Sequence, residues 1–284
     1  MNAPLSTDGR RFAIGGAAVG AGKPLLIAGP CVVEDRRMLM ETAAFLAELA
    51  GEIGWPLVFK ASYSKDNRLA ADSFRGLGAE EALALLGEAA RSAQLPALTD
   101  IHQPEEAAFA AGVVDCLQIP AFLCRQTPLL EAAGATGLAV NIKKGQFMAP
   151  ADMAFAAEKV RRAGSPRVLL TERGTSFGYR DLVVDFRAFP ELAAAGCPVI
   201  FDVTHSQQRP GAGGGASGGT RAFARILARS ALAAGVDGLF LEVHPEPARA
   251  KSDAATQLDF AAAAALLREL AAFWRAMEAG NALP

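Results

Sequence analysis

Histidine is scarce in this chain: three residues in 284, at His102, His205 and His244. Tyrosine and tryptophan are scarcer still, at two each. The four cysteines, Cys31, Cys116, Cys124 and Cys197, stand far apart without framework spacing. That argues against a disulfide scaffold and for reduced thiols in an intracellular setting. No run of about 18 apolar residues occurs, so no membrane span is expected. Met1 to Arg11 is polar and lacks the apolar core of a secretory signal, which leaves the cytoplasm as the expected compartment. There is no basic run, no interleaving of aromatic with basic residues, and the formal net charge is −2. Nucleic acid is therefore a poor candidate partner.

What the chain does have is apolar bulk. Hydrophobic residues make up 51% and charged residues 20%, enough for a large core and too apolar for disorder. Short β-rich runs alternate with longer Ala/Leu-rich stretches of helical period. The strand candidates are Leu25–Gly29, Leu57–Ala61, Ala97–His102, Cys116–Pro120, Ala139–Lys143, Val168–Glu172, Pro198–Val203 and Leu239–Val243. Each is largely apolar, as parallel strands covered on both faces are. Helical stretches are expected at Arg36–Ala50, Glu80–Ser92, Pro150–Arg162, Thr220–Ala233 and Gln257–Ala276. Successive β-then-α units without a composition break predict an α/β fold, a (β/α)8 TIM barrel, with an open doubly wound sheet as the alternative. The expected organisation is one domain over 1–284, with 1–24 as an N-terminal extension and 25–276 as the barrel. Within the extension, Phe12–Gly20 is expected to form a hairpin over the barrel bottom. Pro210–Gly219 is glycine-rich and reads either as a mobile lid or as a plain surface loop.

Barrel enzymes place their chemistry at the C-terminal ends of the strands, and here those ends collect the reactive side chains. All three histidines fall there, as do Lys60, Asp100, Gln118, Lys143, Lys144, Glu172, Arg173, Asp202 and Glu242. Polar residues gather at the ends of any strand, which accounts for some Asp and Gln but not for every histidine. Lys60, Lys65, Arg68, Lys143 and Arg173 would converge on one mouth. Five like charges brought together are unfavourable unless a polyanion neutralises them, so a doubly anionic substrate is expected. Each one alone would read as a solvated surface charge.

Cys31, His205, Glu242 and Asp253 form a second constellation. A thiolate, an imidazole and two carboxylates suit a divalent transition metal. Their spacing carries no local signature, and a small buried cysteine with a hydrogen-bonded core histidine fits it as well. Lys143 on its strand also admits a Schiff-base aldolase. The Gly-Lys within Ala17–Pro24 is not a phosphate loop, because Ala17 and Pro24 stand where glycine and Ser/Thr are required. Gly211–Ala216 fits the dinucleotide pattern only loosely, outside a tight strand-to-helix turn.

From about Leu25 to Gln257 the chain resembles the 3-deoxy-D-manno-octulosonate 8-phosphate synthases. The stretches that carry the resemblance are IAGPCVVE, FKASYSKDNR followed by SFRG, TDIHQP, LQIPAFLCRQT, VNIKKGQF, LTERGTSFGYRDLVVDFR, PVIFDVTHSQQ, GASGG and FLEVHPEP with SDAATQL. It implies that phosphoenolpyruvate condenses with D-arabinose 5-phosphate and water, in lipopolysaccharide precursor synthesis, without an organic cofactor. It further implies Lys60, Lys65, Lys143, Arg173, His205 and Asp253 as catalytic residues. Ser62, Asn67, Arg68, Asp100, Gln118, Phe122, Gln208 and Ser217 would contact substrate. In the metal-independent branch an asparagine stands where this chain has Cys31. The resemblance is therefore to the metal-dependent branch, with Cys31, His205, Glu242 and Asp253 holding Fe²⁺, Zn²⁺, Mn²⁺ or Co²⁺. A homotetramer is implied, with Arg68 reaching a neighbouring subunit.

One stretch departs from the family. Where KANRSS is usual, this chain has Lys65-Asp66-Asn67-Arg68-Leu69-Ala70. Leu69 removes a hydroxyl whose hydrogen bond to the sugar phosphate would contribute about 1 kcal/mol. The alternatives are therefore a 3-deoxy-D-arabino-heptulosonate 7-phosphate synthase type of enzyme with another phosphosugar aldehyde, and a non-catalytic phosphosugar-binding barrel.

Overall fold

The computed structural model of the chain describes residues 10–64, 77–179, 182–213 and 216–281, and the side chains at 210–217 and 281 lie outside that description. Eight parallel strands close into a barrel: β1 (Leu25–Gly29), β2 (Leu57–Lys60), β3 (Ala97–Asp100), β4 (Cys116–Ile119), β5 (Ala139–Lys143), β6 (Val168–Glu172), β7 (Val199–Asp202) and β8 (Gly238–Glu242). Neighbours in sequence are neighbours in space, and β8 pairs with β1 to close the ring. The expected (β/α)8 barrel is what forms, and the open sheet does not.

Around it lie α1 (Arg36–Ile53), α2 (Ala79–Ser92), α3 (Glu106–Ala111), α4 (Thr127–Ala135), α5 (Met153–Ala163), α6 (Ala188–Ala193), α7 (Ala224–Ala233) and α8 (Phe260–Asn281). In α1 the Asp35 carboxylate accepts the Met38 N–H at 2.8 Å, satisfying a donor that the helix itself leaves unpaired. Its buried stripe Leu39, Ala43, Leu46 and Ala50 repeats at helical spacing and faces the strands.

The strands read as continuous apolar runs because both faces are buried, against different partners. Leu26, Phe59, Leu117, Val140, Leu170, Phe201 and Leu241 point outward into the layer under the helices. Leu25, Ile27, Val58, Leu98, Cys116, Ala139, Leu169, Ile200 and Phe240 point inward and fill the barrel's lower half. The predicted hairpin is present: Phe12–Ile14 pairs antiparallel with Ala17–Val19, turning at Gly15 and Gly16, both at positive φ. Ile14 and Val19 join the inner apolar cluster and stopper the barrel's lower end.

Most boundaries move by a residue or two, which is ordinary for strand and helix ends. Larger shifts occur at the helices: α1 runs on to Ile53, α5 begins at Met153, and α8 spans Phe260–Asn281 instead of Gln257–Ala276. Thr220–Phe223 precede α7 instead of belonging to it. The glycine-rich segment, read as a loop or lid, contains an antiparallel hairpin: Gln208–Gly213 pairs with Ala216–Gly219, with a register shift between Arg209 and Gly213. Backbone pairing needs no side chains, so a composition of glycines hid it.

Candidate active site

Inward-pointing residues recur at every second position along a strand, and this alone builds the site. Two residues above the apolar layer stand Lys60 over Val58, Asp100 over Leu98, Gln118 over Cys116, Asn141 over Ala139, Thr171 over Leu169, Asp202 over Ile200 and Glu242 over Phe240. Lys143 and Arg173 sit one step higher. The barrel interior is therefore apolar below and polar above, and all of these side chains are buried.

The upper layer is wired together. The Asp100 carboxylate accepts from the Ser62 hydroxyl and from Gln118 Nε2. Gln118 Oε1 accepts from Asn141 Nδ2 at 2.8 Å, and Asn141 Oδ1 from the Thr171 hydroxyl at 2.6 Å. A carboxylate only accepts, so it fixes the orientation of both amides along the row. Ser62 itself is positioned by the extension of strand pairing beyond β1 and β2, where Ser62 N–H donates to Cys31 O at 3.3 Å. At the start of that extension Gly29 is obligatory, because a Cβ there would lie 2.0 Å from the Lys60 carbonyl oxygen.

The described cations Lys60, Lys143 and Arg173 converge, and two of them carry internal counter-ions. Lys60 Nζ lies 3.2 Å from Glu242 Oε1 and donates to Cys31 O at 3.0 Å. Lys143 Nζ donates to Asp202 Oδ2 and stands 3.4 Å over the Phe240 ring. Burial pulls the Lys143 ammonium below the usual lysine range, against the attraction of Asp202. Burial would raise the Asp202 carboxyl, but His205 and Lys143 outweigh it and hold it well below the usual range. Two of the three described cations thus bring internal counter-ions, so charge repulsion alone does not demand a polyanion. Arg173 differs. One nitrogen donates to Gln208 Oε1 at 2.7 Å, and Nη1 is buried with no hydrogen-bond partner among the described residues. Burial also draws its pKa down from the usual arginine range.

The candidate metal ligands meet beside Lys60 and Lys143. Ligand atoms of Cys31, Glu242 and Asp253 lie within 4.8 Å of one another. His205 Nε2 is 3.4 Å from Glu242 Oε1 and 3.7 Å from Asp253 Oδ2, and Cys31 Sγ is 3.3 Å from Asp253 Oδ2. Donors about 2.0–2.3 Å from one tetrahedral ion are themselves separated by about 3.3–3.8 Å. The four donors suit a divalent ion in chemistry; Cys31, Glu242 and Asp253 are already gathered, while His205 reaches Glu242 and Asp253 but stands outside that close group. Asp202 Oδ2 lies 2.7 Å from His205 Nδ1 and so orients the ring with Nε2 towards Glu242 and Asp253. Asp253 holds φ at +48°, a conformation seldom adopted outside glycine and one that persists only where the surroundings enforce it.

Among the other sequence candidates, Gln208 meets Arg173 as described. Phe122 lies on a short turn after β4 and is 56% exposed, at the rim rather than within. Ser217 belongs to the hairpin Ala216–Gly219, with its side chain outside the description. Lys65, Asn67 and Arg68, and with them Asp66, Leu69 and Ala70, lie outside the described residues. Sequence reasoning did not select Asn141, Thr171, Ser252 or Gln257. The first two could have been found by stepping back two residues from Lys143 and Arg173. The last two reach Cys31 across more than 200 residues of chain, and no local pattern signals that.

A second buried cluster braces the β3 end. Glu106 accepts from the Tyr63 hydroxyl and from the His102 backbone N–H, the latter at 2.7 Å. Burial would raise its pKa, but hydrogen bonds from His102 and Tyr63 bring it from 4.5 to about 2. A depressed carboxylate stabilises the fold above its unfolded pKa and loses that contribution as pH falls through the folded one. Tyr63→Phe is expected to cost about 1–2 kcal/mol near neutrality. The difference between variant and wild type, read by denaturant unfolding, should shrink between pH 4.5 and about 2. A difference independent of pH would remove Glu106 from the account.

A closed parallel barrel with buried cations, carboxylates and a thiol at the C-terminal mouth is the layout of a barrel enzyme, and the chain belongs to the DAHP synthetase I family, whose pattern matches residues 4–276. More particularly, it is similar to proteins named 2-dehydro-3-deoxyphosphooctonate aldolase. One, from Nitratidesulfovibrio vulgaris (strain DP4), is 53% identical over 254 residues, covering 89% of this chain and 93% of that protein. Another, from Methylobacterium radiotolerans, is 52% identical over 274 residues, covering 95% and 96%. A third, from Pelobacter propionicus, is 50% identical over 264 residues, covering 93% and 97%.

Proposed function

We propose that this enzyme condenses phosphoenolpyruvate with D-arabinose 5-phosphate and water to give 3-deoxy-D-manno-octulosonate 8-phosphate and inorganic phosphate. C3 of phosphoenolpyruvate forms the new bond to the aldehyde carbon, whose oxygen takes up a proton. Water adds its oxygen at C2, and the C2–O bond to phosphate breaks with the electron pair leaving on phosphate. The observation that carries the reading is Arg173, a buried guanidinium above the polar layer with Nη1 lacking a partner among the described residues. It suits the carboxylate or phosphate of phosphoenolpyruvate, with Lys60 and Lys143 adding fixed positive charge where negative charge builds. Gln118, held by Asn141 and Asp100, orients the same substrate. Holding both molecules in line supplies much of the rate.

Cys31, His205, Glu242 and Asp253 hold a divalent ion of the Fe²⁺, Zn²⁺, Mn²⁺ or Co²⁺ class, which supplies Lewis-acid polarisation of an oxygen. No helix of the described residues is long and apolar enough to cross a membrane, and the enzyme works in the cytoplasm. The enzyme assembles as a homotetramer, a reading that rests on its likeness to the synthase family.

The test is phosphate release from phosphoenolpyruvate with added Mn²⁺ or Co²⁺, comparing arabinose 5-phosphate with erythrose 4-phosphate. Turnover with the pentose phosphate is expected. Turnover with only the tetrose phosphate, or tight binding without turnover under every metal, overturns the reading.

A further inference from the structure

Gln257 is fully buried, at the end of the loop that carries Ser252 and Asp253. Its side chain reaches two separate backbones. Oε1 accepts the Cys31 N–H at 3.1 Å, and Nε2 donates to the Ser252 carbonyl at 2.7 Å. Neither bond survives an amide flip, since an N–H only donates and a carbonyl only accepts. Its own backbone N–H donates to Asp253 O at 3.2 Å. The residue is in turn fixed to the barrel, because Leu258 N–H donates to Glu242 O at 2.9 Å and His244 N–H to Leu258 O at 2.9 Å. Ser252 Oγ lies 2.7 Å from Cys31 Sγ. One amide therefore joins the loop after β1, which bears Cys31, to the loop after β8, which bears Asp253. It also closes the segment in which Asp253 keeps φ at +48°.

We propose that Gln257 is a positioning residue that sets the separation of Cys31 from Asp253 and so determines how tightly the site takes a divalent metal ion. This rests on the metal-site reading above. A loop free to relax would let Asp253 leave its left-handed conformation, and the ion would then have to restore the geometry at the expense of affinity. Loss of a partner behind the ligands typically weakens metal binding by about 10–100-fold.

The full-length chain is treated with chelator and titrated with Co²⁺ against a chromophoric competitor, reading affinity and the sulfur-to-metal absorption band. Gln257→Glu keeps the acceptor for Cys31 and removes the donor to Ser252, and Gln257→Leu removes both. Affinity is expected to fall by about 10-fold or more in the first and further in the second, with the sulfur band retained in the first. A merely structural role would lower the melting temperature and leave Co²⁺ affinity unchanged, and that result in Gln257→Glu overturns the proposal. If wild type shows no sulfur band, or Cys31→Ala binds Co²⁺ as well as wild type, the metal-site reading itself falls.

Discussion

Lys143→Met is expected to lower kcat/KM by about 100- to 1,000-fold, the cost of removing one fixed charge from a preorganised site. The ammonium stands among Asp202, His205 and Phe240, shielded from water. Methionine keeps an unbranched apolar stem but removes the nitrogen that stands over the ring, and leaves Asp202 with His205 as its only described ionic partner. Breaking such a buried pair costs stability as well, on the order of 3 kcal/mol, so kinetics and thermal melting must be read on the same preparation. A loss of activity seen only above the lowered melting temperature would make Lys143 structural. Borohydride added with substrate separates the electrostatic role from an imine. Mass analysis should find no adduct on Lys143, and an adduct there would establish the Schiff-base alternative.

Cys31→Ala is expected to weaken divalent-metal binding by more than about 100-fold, beyond the effect of losing an outer partner, and to remove turnover with it. The thiol is fully buried and lies beside Asp253 and Ser252, so alanine leaves a small void and little rearrangement. Cys31→Asn supplies an oxygen donor of similar reach and is expected to keep a fraction of the activity. Metal analysis of both variants, with wild-type turnover measured with and without a strong chelator, decides the matter. Equal wild-type activity in the two conditions contradicts the metal role.

The barrel was legible because its strands are short apolar runs buried on both faces, alternating with stretches of helical period, and that alternation survives any detail of packing. The rim was legible for the same reason: the last inward residues of β2, β5 and β8 are Lys60, Lys143 and Glu242. What the sequence did not disclose is how those residues pair. Of the expected cations, Lys60 pairs with Glu242 and Lys143 with Asp202, partners separated by 182 and 59 positions along the chain. Asn141 and Thr171 were passed over because neutral polar residues inside a strand look like substitutions of no consequence, until the ring brings them side by side. The hairpin at Gln208–Gly219 escaped for a different reason. Strand pairing is a property of the backbone, and glycine carries no side-chain pattern to announce it.

The plug formed by Ile14 and Val19 makes the interior a blind alley. Anything that reaches the polar layer from outside comes and goes past the C-terminal ends of the strands, because the opposite end is packed with apolar side chains.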